Sequence, residues 1–214
     1  MRVFFAALVG LSVLAFALPA PAQQILIDDF ATPQGPVTVN PGPGSQTTSV
    51  ASGSAIGGGR VMRVSTSAGG NMSAVVTGGQ YSFTRSAGIA GTSELWWDGN
   101  ADTNFDLGLG ANLTANGQSR FRLTVVSSTS ASLNMRISVY TTGADVSQAD
   151  FTLPTGGGIV DVPYSSFTVA GGAGATFSSA NNIFLSLVNT AGDWNGVIEE
   201  FRTVPVELQS FEVD

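Results

Sequence analysis

The sequence predicts an all-β protein, a sandwich or barrel of antiparallel strands, from three observations. Apolar and polar residues alternate in several stretches, among them Arg120 to Val126 and Asn134 to Tyr140. A period of two marks a strand buried on one face. Turn signals such as Gly78-Gly79, Asn116-Gly117 and Gly156-Gly157-Gly158 punctuate the chain at short intervals, and no long amphipathic helical period interrupts them. Finally, the two ends match. Ile25-Leu26-Ile27-Asp28-Asp29-Phe30 and Gly196-Val197-Ile198-Glu199-Glu200-Phe201-Arg202 are each an apolar run broken by two carboxylates and closed by Phe. That match predicts two terminal strands lying together in one domain.

Taken in order, residues 1–22 read as a secretory signal peptide. Arg2 gives the positive start, Val3 to Leu18 the apolar stretch, and Ala20-Pro21-Ala22 a small-residue cleavage site before Gln23. The run is short for a membrane anchor and ends in small residues and prolines. No later stretch is apolar and long enough to span a bilayer, so the remaining 192 residues are expected to be secreted and soluble. One domain over 23–203 follows. Thr32 to Ser54, rich in Pro, Gly, Ser and Thr, predicts a long irregular connection with one short strand. Strands are expected at Arg60 to Ser65, Ser73 to Thr77, Tyr81 to Thr84, Glu94 to Trp97, Phe105 to Gly108, Ile159 to Val162 and Ile183 to Val188, besides the two alternating stretches above. Val169 to Ser179 reads as a Gly-Ala-rich loop. Residues 204–214 read as a tail or an added edge strand.

Composition removes several functions. The chain has no Cys, His or Lys. Disulfide scaffolds, Ser-His-Asp triads, Cys-His pairs, Ser-Lys dyads and His/Cys zinc sites are therefore excluded. Past residue 22, seven Arg face fifteen Asp and Glu, a formal charge of −8 that repels phosphate backbones and argues against nucleic acid as a partner. A carboxylate pair, as in glycoside hydrolysis, is the one catalytic device left. No spacing singles out an acid and a nucleophile.

The motifs carry a resemblance. Ile27-Asp28-Asp29-Phe30, Val162-Pro163-Tyr164-Ser165-Ser166-Phe167 and Ile198-Glu199-Glu200-Phe201 resemble the opening, late and closing segments of jelly-roll carbohydrate-binding modules of the galactose-binding-like type. The chain also resembles single-domain proteins exported by Gram-negative bacteria with a PEP-CTERM sorting signal, although that signal is absent here. Val204 to Phe211 resembles instead the junction before a type IX sorting domain. The resemblance implies a jelly-roll β-sandwich of two antiparallel sheets, a secreted or cell-surface location in such a bacterium, and a structural calcium near the terminal strands.

Two acidic groups could serve calcium, a hard cation that takes oxygen ligands. Neighbouring residues of a strand face opposite ways, so one of Asp28 and Asp29 and one of Glu199 and Glu200 could meet at the sandwich edge. Solvated acids on edge strands are the plainer alternative. In Asp98-Gly99-Asn100-Ala101-Asp102-Thr103-Asn104-Phe105-Asp106, oxygen-bearing side chains recur at alternate positions, yet an EF-hand would need Gly at 103 and Glu at 109 where Thr103 and Leu109 stand. A polar loop is the other reading.

Sugar recognition combines aromatic faces with polar side chains. Alternation puts Leu95 and Trp97 inside and Glu94, Trp96 and Asp98 outside. Arg120, Arg122, Arg136 and Tyr140, on two strands expected to be neighbours, would share one noncore face and join Trp96 in a platform; a solvated face carrying scattered Arg is the alternative. Trp194 sits in a turn, as a contact residue or a lid on the core. The expected function is a noncatalytic extracellular or cell-surface binding protein for polysaccharide or surface glycan. The rivals are a self-associating matrix protein and, third, a glycan-active enzyme.

Overall fold

The computed structural model of the chain describes residues 23–40, 42–67, 70–86, 88–129, 133–188 and 194–206, with Trp194 described by its backbone alone. The predicted signal peptide and residues 207–214 lie outside them. Among the described residues no helix is long and apolar enough to cross a membrane.

Among the described residues, fourteen strands, every pairing antiparallel, build two sheets of seven. The chain lays down β1 (Ile25–Asp28), β2 (Gln34–Val39), β3 (Gly44–Ala51), β4 (Gly59–Thr66), β5 (Met72–Thr77), β6 (Gln80–Arg85) and β7 (Gly91–Trp97). There follow β8 (Gln118–Ser128), β9 (Asn134–Tyr140), β10 (Val146–Thr152), β11 (Gly158–Pro163), β12 (Thr168–Gly171), β13 (Asn182–Leu187) and β14 (Trp194–Pro205). The first sheet runs β11-β8-β14-β6-β5-β2, with β1 also paired to β14; the second runs β12-β10-β9-β13-β7-β4-β3. Most connections pass from one sheet to the other, and the result is a jelly-roll β-sandwich. Hairpins remain within a sheet. The one between β5 and β6 turns on Gly78 and Gly79, both at positive φ (60° and 76°), the two-residue geometry that follows strand twist and that glycine adopts without strain.

The terminal strands do meet. Ile25 pairs with Thr203 and Leu26 with Arg202, while the first part of β14 pairs with β6. Hence β1 and β6 lie end to end along one side of β14, with β8 along the other.

Inward residues of both sheets form one core. Phe121, Leu123 and Val125 of β8, Met135, Ile137 and Val139 of β9, and Leu185 and Leu187 of β13 are all buried in it, as alternation predicts. A polar hub sits inside this core around Asp28 and Arg60, both fully buried. Arg60 Nη1 donates to both Asp28 oxygens (3.0 and 2.9 Å), its Nε to Gln34 Oε1 (2.7 Å) and its Nη2 to the Thr32 carbonyl (2.6 Å). Trp97 Nε1 donates to Asp28 Oδ2 (2.8 Å) and the Phe30 N–H to Oδ1 (2.7 Å). Phe30 itself is held at φ 55°, which a bulky residue adopts only under constraint; the Asp28 hydrogen bond and the Arg60 guanidinium over its ring (5.5 Å) supply it.

Four elements differ from expectation. Residues 32–54 form two strands, β2 and β3. Their pattern is hidden because β3 is an edge strand with no fully buried position. β10 has a weak apolar signature because two of its inward residues, Ser147 and Ala149, are small and the third, Phe151, is only partly buried against the core. β12 occupies the start of the Gly-Ala-rich loop, and its first three residues are exposed. Phe105 to Gly108 is not a strand but part of an irregular segment between β7 and β8. Beyond residue 203, β14 continues to Pro205.

Candidate functional site

The outer face of the second sheet carries a groove of about 570 Å³. Its floor follows from strand register. Glu94 of β7, Ser186 of β13 and Arg136 of β9 stand side by side, with Arg63 of β4 beyond Glu94 and Asp150 of β10 beyond Arg136. Leu185 and Leu187 point into the core, so alternation turns Ser186 outward. Ser65, Thr92 and Ser186 add hydroxyls to the lining. Two ion pairs flank Ser186. Arg63 Nε donates to Glu94 Oε2 (2.6 Å) on one side, and Arg136 Nε and Nη2 grip Asp150 (2.6 and 2.9 Å) on the other. The hydrogen bond to Asp150 raises the Arg136 pKa, and the Arg136 side chain holds the Asp150 carboxyl below its ordinary range against the opposing effect of partial burial.

Further along the same strands the face becomes aromatic. Trp96 stacks on Phe184 (5.1 Å, 14° between planes), with the Arg63 guanidinium 5.4 Å from its ring centre. Phe105, from the irregular segment, meets Tyr140 edge-on (5.3 Å) and Phe184 at a tilt (5.7 Å). Burial first, and then the charge of Glu94, raise the Tyr140 pKa.

The predicted platform is only half assembled. Trp96 does face outward, but the segment after β7 and Arg63 leave it 3% exposed, so it supports the face rather than presenting a ring. Arg136 and Tyr140 share that face. Arg120 and Arg122 do not: β8 belongs to the first sheet and β9 to the second. The two arginines lie on the opposite outer face, where both contact Asp161 of β11 (3.2 and 2.7 Å). Alternation fixes which way a side chain points, not which sheet its strand joins. Trp194 opens β14, and its side chain lies outside the described residues. Ser186 and Glu94 were legible as outward positions, whereas Phe105, placed by an irregular segment, left no periodic signal.

The acidic candidates are spoken for separately. Asp28 points into the core and has both oxygens engaged by Arg60, Trp97 and Phe30. Asp29 accepts hydrogen bonds from Ser54 Oγ and the Ala31 N–H. Partial burial raises its pKa, and these bonds outweigh that to leave it lowered. Glu199 is exposed, and Glu200 Oε1 lies 2.7 Å from Arg202 Nε. In the 98–106 segment, Asp98 accepts from the Asn100 and Asp106 N–H groups (3.1 Å each) and Asp102 from the Asn104 N–H (2.7 Å). Asn100 Nδ2 bridges Asp102 and Asp106 (2.9 and 3.1 Å). These acids cap the loop's own backbone. Among the described residues no three acidic side chains converge as a metal site.

Fold and face together define the class: a jelly-roll β-sandwich that presents a polar groove on the outside of one sheet, with a cluster of aromatic rings further along the same strands. No family model matches the chain, and no curated protein matches it. Among solved structures it is similar to the family 11 carbohydrate-binding module of a cellulosomal cellulase of Clostridium thermocellum, at 12% identity and a TM-score of 0.47 over 89% of this chain and 99% of that one. A family 11 module from the same organism, in complex with a β-1,3-1,4-mixed-linked tetrasaccharide, is similar at 12% identity and a TM-score of 0.46, over 85% and 95% of the two chains. An agarase is similar at 11% identity and a TM-score of 0.47, over 67% of this chain and 22% of that one. The fold stated above rests on the strand pairing itself.

Proposed function

We propose that the chain is a noncatalytic carbohydrate-binding protein that takes a polysaccharide into the groove of the second sheet, acting outside the cell. The observation that carries this reading is the groove. Hydroxyls and the fixed ends of two ion pairs line it, and such groups match the donor and acceptor pattern of sugar hydroxyls. Its lining holds a single carboxylate, Glu94, already bound by Arg63, whereas glycoside hydrolysis ordinarily needs two. This supports binding without turnover.

Ser186 provides the test. It is half-buried between Glu94 and Arg136 on the groove lining and contributes nothing to the core. Ser186→Tyr fills the groove and should abolish the retardation of the protein in native gels containing soluble polysaccharide, with thermal stability unchanged. Unaltered retardation would place the binding face elsewhere.

A second reading has one specific observation. Ile159 of β11 and Val169 of β12 are 63% and 62% exposed on strands that end their sheets, and apolar open edges favour association between copies. Sedimentation velocity across a range of concentrations separates this reading from the first, because edge association shows as a growing faster species.

A further inference from the structure

Phe105 is the anomaly of the outer face. It is a large apolar residue, 45% exposed, on a segment that could have turned it inward. Its position is imposed from both sides. Trp96 Nε1 donates to the carbonyl of Asn104 (3.4 Å), and Asn182 Nδ2 donates to the carbonyl of Asp106 (2.9 Å). Asp98 Oδ2 also accepts the Asp106 N–H. The residues before and after Phe105 are therefore tied to the second sheet by buried side chains, and the ring rests against Tyr140 and Phe184. A ring held this way, with part of its surface open, loses little conformational entropy when a ligand stacks on it.

The ring and the groove are also in line. The groove reaches Val188 at one end of β13, and Phe184, under the Phe105 ring, lies four residues back. At ~3.3 Å per residue that is about 13 Å along the strands. The groove itself takes the part of that span from Val188 to Ser186 and Glu94, and Arg63, paired with Glu94, sets its guanidinium over Trp96.

We propose that Phe105 is a stacking platform for a sugar ring at the far end of the same ligand, so that the chain selects extended polysaccharide segments over short ones. This rests on the groove being the glycan site and adds a length requirement to it. A short oligosaccharide fills the groove and never reaches Phe105; a longer one gains the apolar face of one more ring. An aromatic contact of this kind corresponds to roughly a 3- to 10-fold gain in affinity.

The experiment begins with native gels containing mixed-linkage β-glucan, xylan, galactomannan or dextran. Oligosaccharides of increasing length, cut from whichever polymer retards the protein, are then titrated calorimetrically. In the wild-type chain affinity should step upward once the oligosaccharide spans the groove and the ring. Phe105→Ala should remove that step, leave the shortest ligands bound as before, and lower the melting temperature by about 2–10 °C through the lost contacts with Tyr140 and Phe184. Phe105→Trp should keep or enlarge the step. Ser186→Tyr should abolish binding at every length. Loss by Ser186→Tyr with an intact step in Phe105→Ala would overturn the platform and spare the groove. Equal weakening at all lengths by Phe105→Ala would overturn the length requirement. If no polymer of the panel retards the wild-type chain, groove and platform fall together.

Discussion

The perturbation that most directly tests the architecture is Arg60→Met. The guanidinium is wholly buried and occupied on three sides, by Asp28, Gln34 and Thr32. Met has a similar reach and keeps the packing while removing the charge and the donors. Asp28 would keep the Trp97 and Phe30 donors but would become a buried carboxylate without a counter-charge. Removing one partner of such a pair costs about 3–5 kcal/mol. At roughly 2–4 °C per kcal/mol for a domain of this size, the melting temperature should fall by about 6–20 °C. Urea unfolding at neutral pH reports the loss, and Trp97, itself part of the hub, gives a fluorescence signal from the site. The partner variant Asp28→Asn completes a double-mutant cycle. The two changes together should cost at least about 2 kcal/mol less than their sum, because the second removes the charge the first strands. A loss below about 1 kcal/mol for Arg60→Met, or strict additivity in the cycle, would refute the claim that the pair depends on mutual compensation.

Other expectations follow from the same geometry. Ile137→Ala, in the fully buried centre of β9, should cost about 2–5 kcal/mol in urea unfolding. Gly196→Ala would drive a methyl into the Phe83 ring across the β14–β6 pair, and a loss of about 1–3 kcal/mol is expected. The Arg122 hydrogen bonds, opposed by partial burial, hold the Asp161 carboxyl below its ordinary range. Its contribution is therefore present above that range and lost as pH falls through the depressed folded value, so Asp161→Asn should flatten the decline of melting temperature below about pH 4. Asp98 runs the other way: burial raises its pKa despite its backbone hydrogen bonds, so its share of stability grows on mild acidification and should vanish in Asp98→Asn. Because Arg60 neutralises Asp28, melting curves in calcium and in chelator should coincide, and a drop of several degrees on chelation would point to a cation among the acids.

How much of this was legible depends on what a strand's residues see. β8, β9 and β13 announce themselves because one face of each meets the core and the other does not. β3 and β10 are quiet for different reasons, the first because it lies at an edge with neither face buried, the second because Ser147 and Ala149 take two of its inward positions and leave Phe151 as the large one. The inward turn of Asp28 was beyond the pattern altogether. The β1–β14 register slips between Leu26 and Asp28, and a bulge lets Ile27 and Asp28 both enter the core where strict alternation allows one. Likewise the matched carboxylate pairs at the two ends correctly foretold paired strands, while the partner of Asp28 proved to be Arg60, thirty-two residues downstream and on the other sheet. For the outer face, parity correctly turned Trp96 outward but carried no information about the segment that covers it.

The pairing of β1 with β14 has a consequence for how the domain can be mounted. Gln118 donates to the carbonyl of Gln23 (2.7 Å) and pairs with Pro205, so the two ends of the described chain leave from one corner, on the first sheet. The groove and Phe105 lie on the outside of the second. Any linker, fusion partner or surface anchor joined at either end therefore departs behind the sandwich and leaves the opposite face unobstructed. The same closeness allows a short peptide to join the ends while the chain is reopened at the Gly78-Gly79 turn. Such a permuted domain would carry its tether on a different edge, so that the orientation of the face toward a fibre or a cell wall could be set by design.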